Sequence, residues 1–145
     1  MTDISYAHDF YAWTQAQAAA LRAKAAPALD WEHLAEEVES LGNAQRHAVR
    51  SHLRNLLLHL LTWHYPPHRH TQSWRVSIDN ARDEIADYLE TSPSLVAGLD
   101  ALLASAYGRA RKLAERDTRV PLASFPQTCP WSLDQVLDED FWPEA

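Results

Sequence analysis

Eight histidines in 145 residues invite a metal reading, because imidazole is a common ligand, and their spacing decides whether it holds. Carboxylate-bridged metal bundles place Glu-x-x-His pairs on two helices, so that both donors project inward one turn apart. This chain has no Glu-x-x-His, and the reversed His33-x-x-Glu36 occurs once. His64 and His68 straddle Pro66-Pro67 and cannot share a helical face. His52 and His59 do share one, but they border the Leu53, Leu56, Leu60 stripe, where imidazole buries its body and turns its polar edge to solvent. No metal and no cofactor is expected. The enzyme-like or ligand-binding alternative is a Glu/His site across a helical bundle, built from Glu36, Glu37, His52 and His59.

Cys129 is the only cysteine, so no internal disulfide can form. It sits before Pro130, far in sequence from every histidine, and reads as a small buried apolar residue rather than a nucleophile. The sequence contains no Gly-x-Ser-x-Gly, no glycine-rich phosphate loop and no His-Glu-x-x-His.

Charge is unevenly spread. The net charge is −7, yet residues 43–82 hold six arginines against one acid, Asp79. Within that segment Arg46, Arg50 and Arg54 recur every fourth residue and could meet Glu36, Glu37 and Glu39 if the chain folds back at Gly42. Farther on, Trp63, Tyr65, Arg69, Trp74 and Arg75 interleave aromatic and basic groups around consecutive prolines, the best candidate binding surface in the sequence. Nucleic acid is disfavoured as its partner by a pI near 5.5, since phosphate would be repelled nearly everywhere else. The acidic tail ending in Phe141-Trp142 is the internal candidate, which would make this stretch a structural clasp.

The elements that position these residues read as helices throughout. Three glycines and an abundance of alanine, leucine, glutamate and arginine favour helix, because those side chains lose little rotamer freedom there. Asp9 caps a first helix through Trp13 and Leu21 towards Lys24, closed by Pro27. Asp30 caps a second, with Trp31, Leu34, Ala35, Val38 and Leu41 at helical spacing and Glu32, Glu36 and Glu39 beside them. Gly42-Asn43 could stop it, but Val49, Leu53, Leu56, Leu60 and Trp63 keep the register, so one long helix and two shorter ones are equally compatible. A helix from Ser73 to Thr91 and another beginning at Ser92-Pro93 follow, and Pro121, Pro126 and Pro130 then impose a loop. Ser132 and Gln135 form a capping box for a last short helix. Trp31, Leu34, Val38, Leu53, Leu56, Leu60, Ile78, Ile85, Leu99, Leu102 and Leu103 are the expected core, with Trp13, Trp63 and Trp74 as large fillers.

Phe10-Tyr11-Ala12-Trp13, Leu29-Asp30-Trp31-Glu32-His33-Leu34-Ala35-Glu36-Glu37, Ser40-Leu41-Gly42 and the ending Cys129-Pro130-Trp131-Ser132-Leu133 through Phe141-Trp142-Pro143 resemble the bacterial family catalogued as domain of unknown function number 29. The resemblance covers nearly the whole chain and implies a helical fold with no established activity. The expectation is therefore an all-α single domain over residues 1–145, an antiparallel helical bundle of about four to six helices with a loop-rich C-terminal segment. The longest apolar run is about eight residues against the roughly 20 of a membrane span, and no signal peptide is apparent, so a cytoplasmic protein is expected. With no catalytic signature, the expected role is that of a protein-interaction or scaffold module, through an unknown protein partner or self-association.

Overall fold

The structure is a computed structural model and describes residues 3–63 and 72–143. Tyr65, Arg69, His64, His68 and His70 lie outside the described residues. Among the described residues there are five α-helices and no strand: α1 (Phe10–Arg22), α2 (Trp31–Leu61), α3 (Gln72–Thr91), α4 (Leu99–Thr118) and α5 (Leu133–Leu137).

Local chemistry accounts for most of the boundaries. Asp9 Oδ1 accepts the Ala12 amide at 2.9 Å and starts α1. Its end is closed by paired bonds, Lys24 N–H to the Leu21 carbonyl and Ala25 N–H to the Ala20 carbonyl, with Lys24 in the left-handed region at φ 56°. This is the turn that glycine usually makes, carried here by a lysine at a modest conformational cost. In α5, Ser132 Oγ accepts the Gln135 amide while Gln135 returns a bond to the Ser132 amide, the reciprocal cap expected from the sequence.

Two boundaries differ from expectation. Gly42 does not interrupt α2, which is continuous from Trp31 to Leu61, so the fold-back that would pair Arg46, Arg50 and Arg54 with Glu36, Glu37 and Glu39 does not occur. A single glycine costs a helix only about 1 kcal/mol relative to alanine, less than the buried apolar face from Val49 to Leu60 returns. The second difference is at Ser92-Pro93. Residues Pro93–Gly98 form 3₁₀ turns and the α-helix begins only at Leu99, while the Ser92 hydroxyl donates to Gln45 Oε1 instead of capping.

The chain divides into two compact units, Met1–Ala44 and Gln45–Ala145. The second holds a dense apolar core. Val49, Leu53, Leu56, Leu57 and Leu60 of α2 are sealed against Ile78 and Ile85 of α3 and Leu99, Leu102, Ala106 and Ala110 of α4, with Phe125 and Val136 contributed by the C-terminal segment. Burying each such aliphatic side chain contributes about 1.5–3 kcal/mol. The loop-rich segment is held to α4 by the Tyr107 hydroxyl, which donates to the Pro126 carbonyl at 2.6 Å, and by Arg111 Nε, which donates to the Phe125 carbonyl. Burial pushes the Tyr107 hydroxyl up to about 12.

The first unit has almost no core. Among the described residues only Trp13 and Gln17 are buried there. Three residues expected inside are not: Trp31 and Val38 are exposed at 66% each, and Leu34 is half-buried. The reason is which side of α2 is covered. Tyr6 and Trp13 meet α2 through His33 and Glu37, and at about 100° per residue those positions lie on a different side from Trp31, Ala35 and Val38.

Candidate functional site

Two constellations stand out, one in each unit. In the first unit, a polar and aromatic cluster gathers around Asp30. Its carboxylate accepts the Trp13 indole N–H at 3.0 Å and the His33 Nδ1–H at 2.7 Å, while the Asp30 amide donates to Gln17 Oε1 at 2.7 Å. The Tyr6 ring stacks on His33 with centroids 4.1 Å apart, and its hydroxyl donates to Glu37. The His33 bond holds the Asp30 carboxyl below the usual carboxylate range, and reciprocally the Asp30 carboxylate raises His33. These bonds and ring contacts tie α1 to the start of α2.

This cluster leaves the other side of α2 open. Trp31, Leu34, Val38 and Leu41 follow steps of three and four, the seam spacing of helices that pack lengthwise against another helix. Leu41 is 71% exposed. Ala35 and Gly42 lie along the strip and keep it low, and a Cβ at Gly42 would meet nothing within 4 Å. Glu32, Glu36 and Glu39 are all exposed beside it.

In the second unit, three of the residues singled out from the sequence are described: Trp63 is buried, Trp74 half-buried and Arg75 exposed. Trp63 is buried and its ring lies 4.9 Å from that of Trp142. The Arg75 guanidinium stands 4.4 Å over Trp142 and 5.8 Å over Trp63. Trp74 donates its indole N–H to the His59 carbonyl and packs on the His59 ring at 3.9 Å. Trp142 of the C-terminal tail thus packs on Trp63 and under Arg75.

Arg82, which nothing in the sequence distinguished from other helix-surface arginines, is the anchor of that clasp. It is buried, donates from Nε to the Val136 carbonyl at 2.9 Å and from a terminal nitrogen to the Phe141 carbonyl at 2.9 Å, and lies 5.4 Å over Trp142. Burial lowers its affinity for a proton. Its only sequence signal was position, since it continues the Trp74, Ile78, Ile85 side of α3 by one step.

His52 and His59 line one cleft of about 260 Å³ with Asn55, Ser77, Asn80 and Glu84, but Glu36 and Glu37 belong to the first unit. Glu84 is the carboxylate residue that lines this cleft with the two histidines. Among the described residues no three His, Cys, Asp or Glu side chains gather as a metal-binding group. Cys129 is half-buried beside Tyr107 and Trp131 in an apolar-walled cleft of about 390 Å³, and burial pushes its thiol up, away from the reactive thiolate. Among the described residues no helix is long and apolar enough to cross a membrane.

The chain matches the family model described as Domain of unknown function DUF29 over residues 5–142, and it belongs to that family. No curated protein and no solved structure matches it.

Proposed function

For this member of the DUF29 family, whose family name carries no activity, we infer that the chain is an interaction module whose first unit receives an amphipathic helix of another protein, one whose apolar stripe is bordered by lysine and arginine. The observation that carries this reading is a partition. Of the nine exposed large hydrophobic residues among the described part of the chain, seven lie in the first unit. Isolated exposed apolar residues are ordinary, but a row of them along one helix at seam spacing is an interaction signal.

Charge selects the occupant. Glu32, Glu36 and Glu39 run along one flank of the strip, so a helix with basic residues on the matching flank gains attraction there. A second copy in an antiparallel two-fold pair would bring these flanks together and set glutamate against glutamate. The small Ala35 and Gly42 allow the incoming helix to approach closely.

The test is site-specific photo-crosslinking from position 31 of the full chain in the producing cell, with the crosslinked segment sequenced. The expected adduct is a helical segment of another protein with an apolar stripe and basic borders, lost in the Val38→Lys, Leu41→Lys double variant, which remains folded. An adduct to a second copy of the chain, or no adduct, overturns the reading.

A further inference from the structure

A cleft in the second unit is lined by three arginines and no acid. Arg50 and Arg54 come from α2, one helical turn apart, and Arg109 with Ser105 from α4, also one turn apart; Ser51 and Ala106 complete the wall of a cavity of about 270 Å³. α2 thus presents two guanidinium groups and a hydroxyl, and α4 one of each, to the same space. The sequence assigned Arg50 and Arg54 to ion pairs with Glu36, Glu37 and Glu39, and the continuous α2 removes that explanation.

Nothing in the fold replaces those counter-charges. Among the described residues none of the three arginines forms an ion pair with a carboxylate, and the one polar contact of Arg50 is to His47 Nδ1 at 3.1 Å. Arg54 Nε is buried and has no acceptor among the described residues. Among the described residues the only other buried side-chain N–H without a partner is on Arg82, in the tail clasp, and at Arg54 the orphaned group coincides with a cluster of guanidinium groups, a combination that points to an acceptor supplied from outside the chain. Three like charges around one small cavity repel each other, and in a protein of net charge −7 they form a local positive focus that attracts anions.

We propose that this cleft binds the phosphate group of a phosphomonoester, held by Arg50, Arg54 and Arg109 with the hydroxyls of Ser51 and Ser105 as additional donors. Guanidinium forks match phosphate oxygens two at a time, and a phosphate carrying nearly two negative charges answers the three positive ones better than a single carboxylate does. At about 270 Å³ the cavity lies just under the roughly 300–1,000 Å³ of sites that enclose a whole drug-sized ligand, so it suits a compact oxyanion whose remainder projects outward. The docking strip of the first unit plays no part in this inference.

The experiment is calorimetric titration of the full chain near neutral pH with inorganic phosphate, phosphoserine in a short peptide, and succinate, ionic strength being held constant with sodium chloride. Phosphate and the phosphopeptide bind and succinate binds at least about tenfold more weakly. Arg109→Gln, at an exposed position that leaves the fold intact, weakens phosphate by about tenfold or more, and Arg54→Gln with Arg109→Gln abolishes it. Arg109→Lys, which keeps the charge and loses the fork, falls between the two. A phosphopeptide that binds about tenfold tighter than phosphate assigns the group to a modified protein, whereas equal affinity assigns it to a small phosphomonoester. The proposal is overturned if wild-type protein takes up no phosphate, if Arg109→Gln binds it as well as wild type does, or if succinate equals it. Phosphorus NMR line broadening on the same variants gives a readout independent of any stability change in Arg54→Gln.

Discussion

The two units use the same helix-forming residues to opposite ends. In the second, apolar side chains from α2, α3, α4 and the C-terminal segment close over one another, and every buried apolar residue of the described chain except Trp13 lies there. In the first, two helices are held by a network around Asp30, and their larger apolar residues face outward. A short helical pair can therefore be specified by polar and aromatic contacts while its hydrophobic strip stays open to a partner. A periodic apolar stripe records that something covers a helix, not that the same chain does.

The largest expected effect comes from exchanging equivalent truncations between the units. Leu56→Ala in the second removes a fully buried side chain and should cost about 2–5 kcal/mol, seen as a midpoint shift in denaturant. Leu41→Ala in the first should stay within about 0.5 kcal/mol, as for other exposed positions. Equal losses would erase the distinction between a closed core and an open strip.

A smaller effect separates the two arginines of the clasp. Arg82→Ala removes two hydrogen bonds from a buried guanidinium to carbonyls and should cost about 1.5–3 kcal/mol, lowering the melting temperature by several degrees. Arg75→Ala removes an exposed cation–π contact and should cost about 0.5–1 kcal/mol. Deleting residues 138–145 removes the Phe141 acceptor and the Trp142 ring but leaves the Val136 bond, and should also lower the melting temperature. A reversed order of the two arginines would move the anchor of the tail from α3's buried side to its surface.

The smallest effect is a pH dependence confined to the first unit. His33 is raised by its bond to Asp30, so the stability it contributes is fully present below its unfolded value near 6.5 and is lost as pH rises through its higher folded value. Asp30 is lowered, so its contribution is present above the ordinary carboxylate value of 3.8 and is lost as pH falls through its lower folded value. Trp13 fluorescence should therefore report a first unit most stable between these limits, and His33→Gln should flatten the alkaline side. An unchanged profile in His33→Gln would show that the Trp13 and Tyr6 contacts alone hold α1 to α2.

What the amino-acid sequence determined by itself was the local physics. The all-helical class, the caps at Asp9 and Ser132, the loop after α4, the core positions from Leu53 to Leu103 and the family were legible because each depends on residue type and spacing over one or two turns. Tertiary structure alone decided which periodic faces are covered. The stripe from Trp31 to Leu41 and the stripe from Val49 to Leu60 look alike as patterns, yet one is bare and the other sealed, because burial depends on what arrives from distant parts of the chain. The same reason hid the arginines. Arg82 differs from its neighbours only because residues more than fifty positions away supply its carbonyl acceptors, and Arg50 and Arg54 become a cleft only when α4 brings Arg109 beside them. Charges along one helix carry no record of what stands opposite, so their pairing is settled when the helices pack.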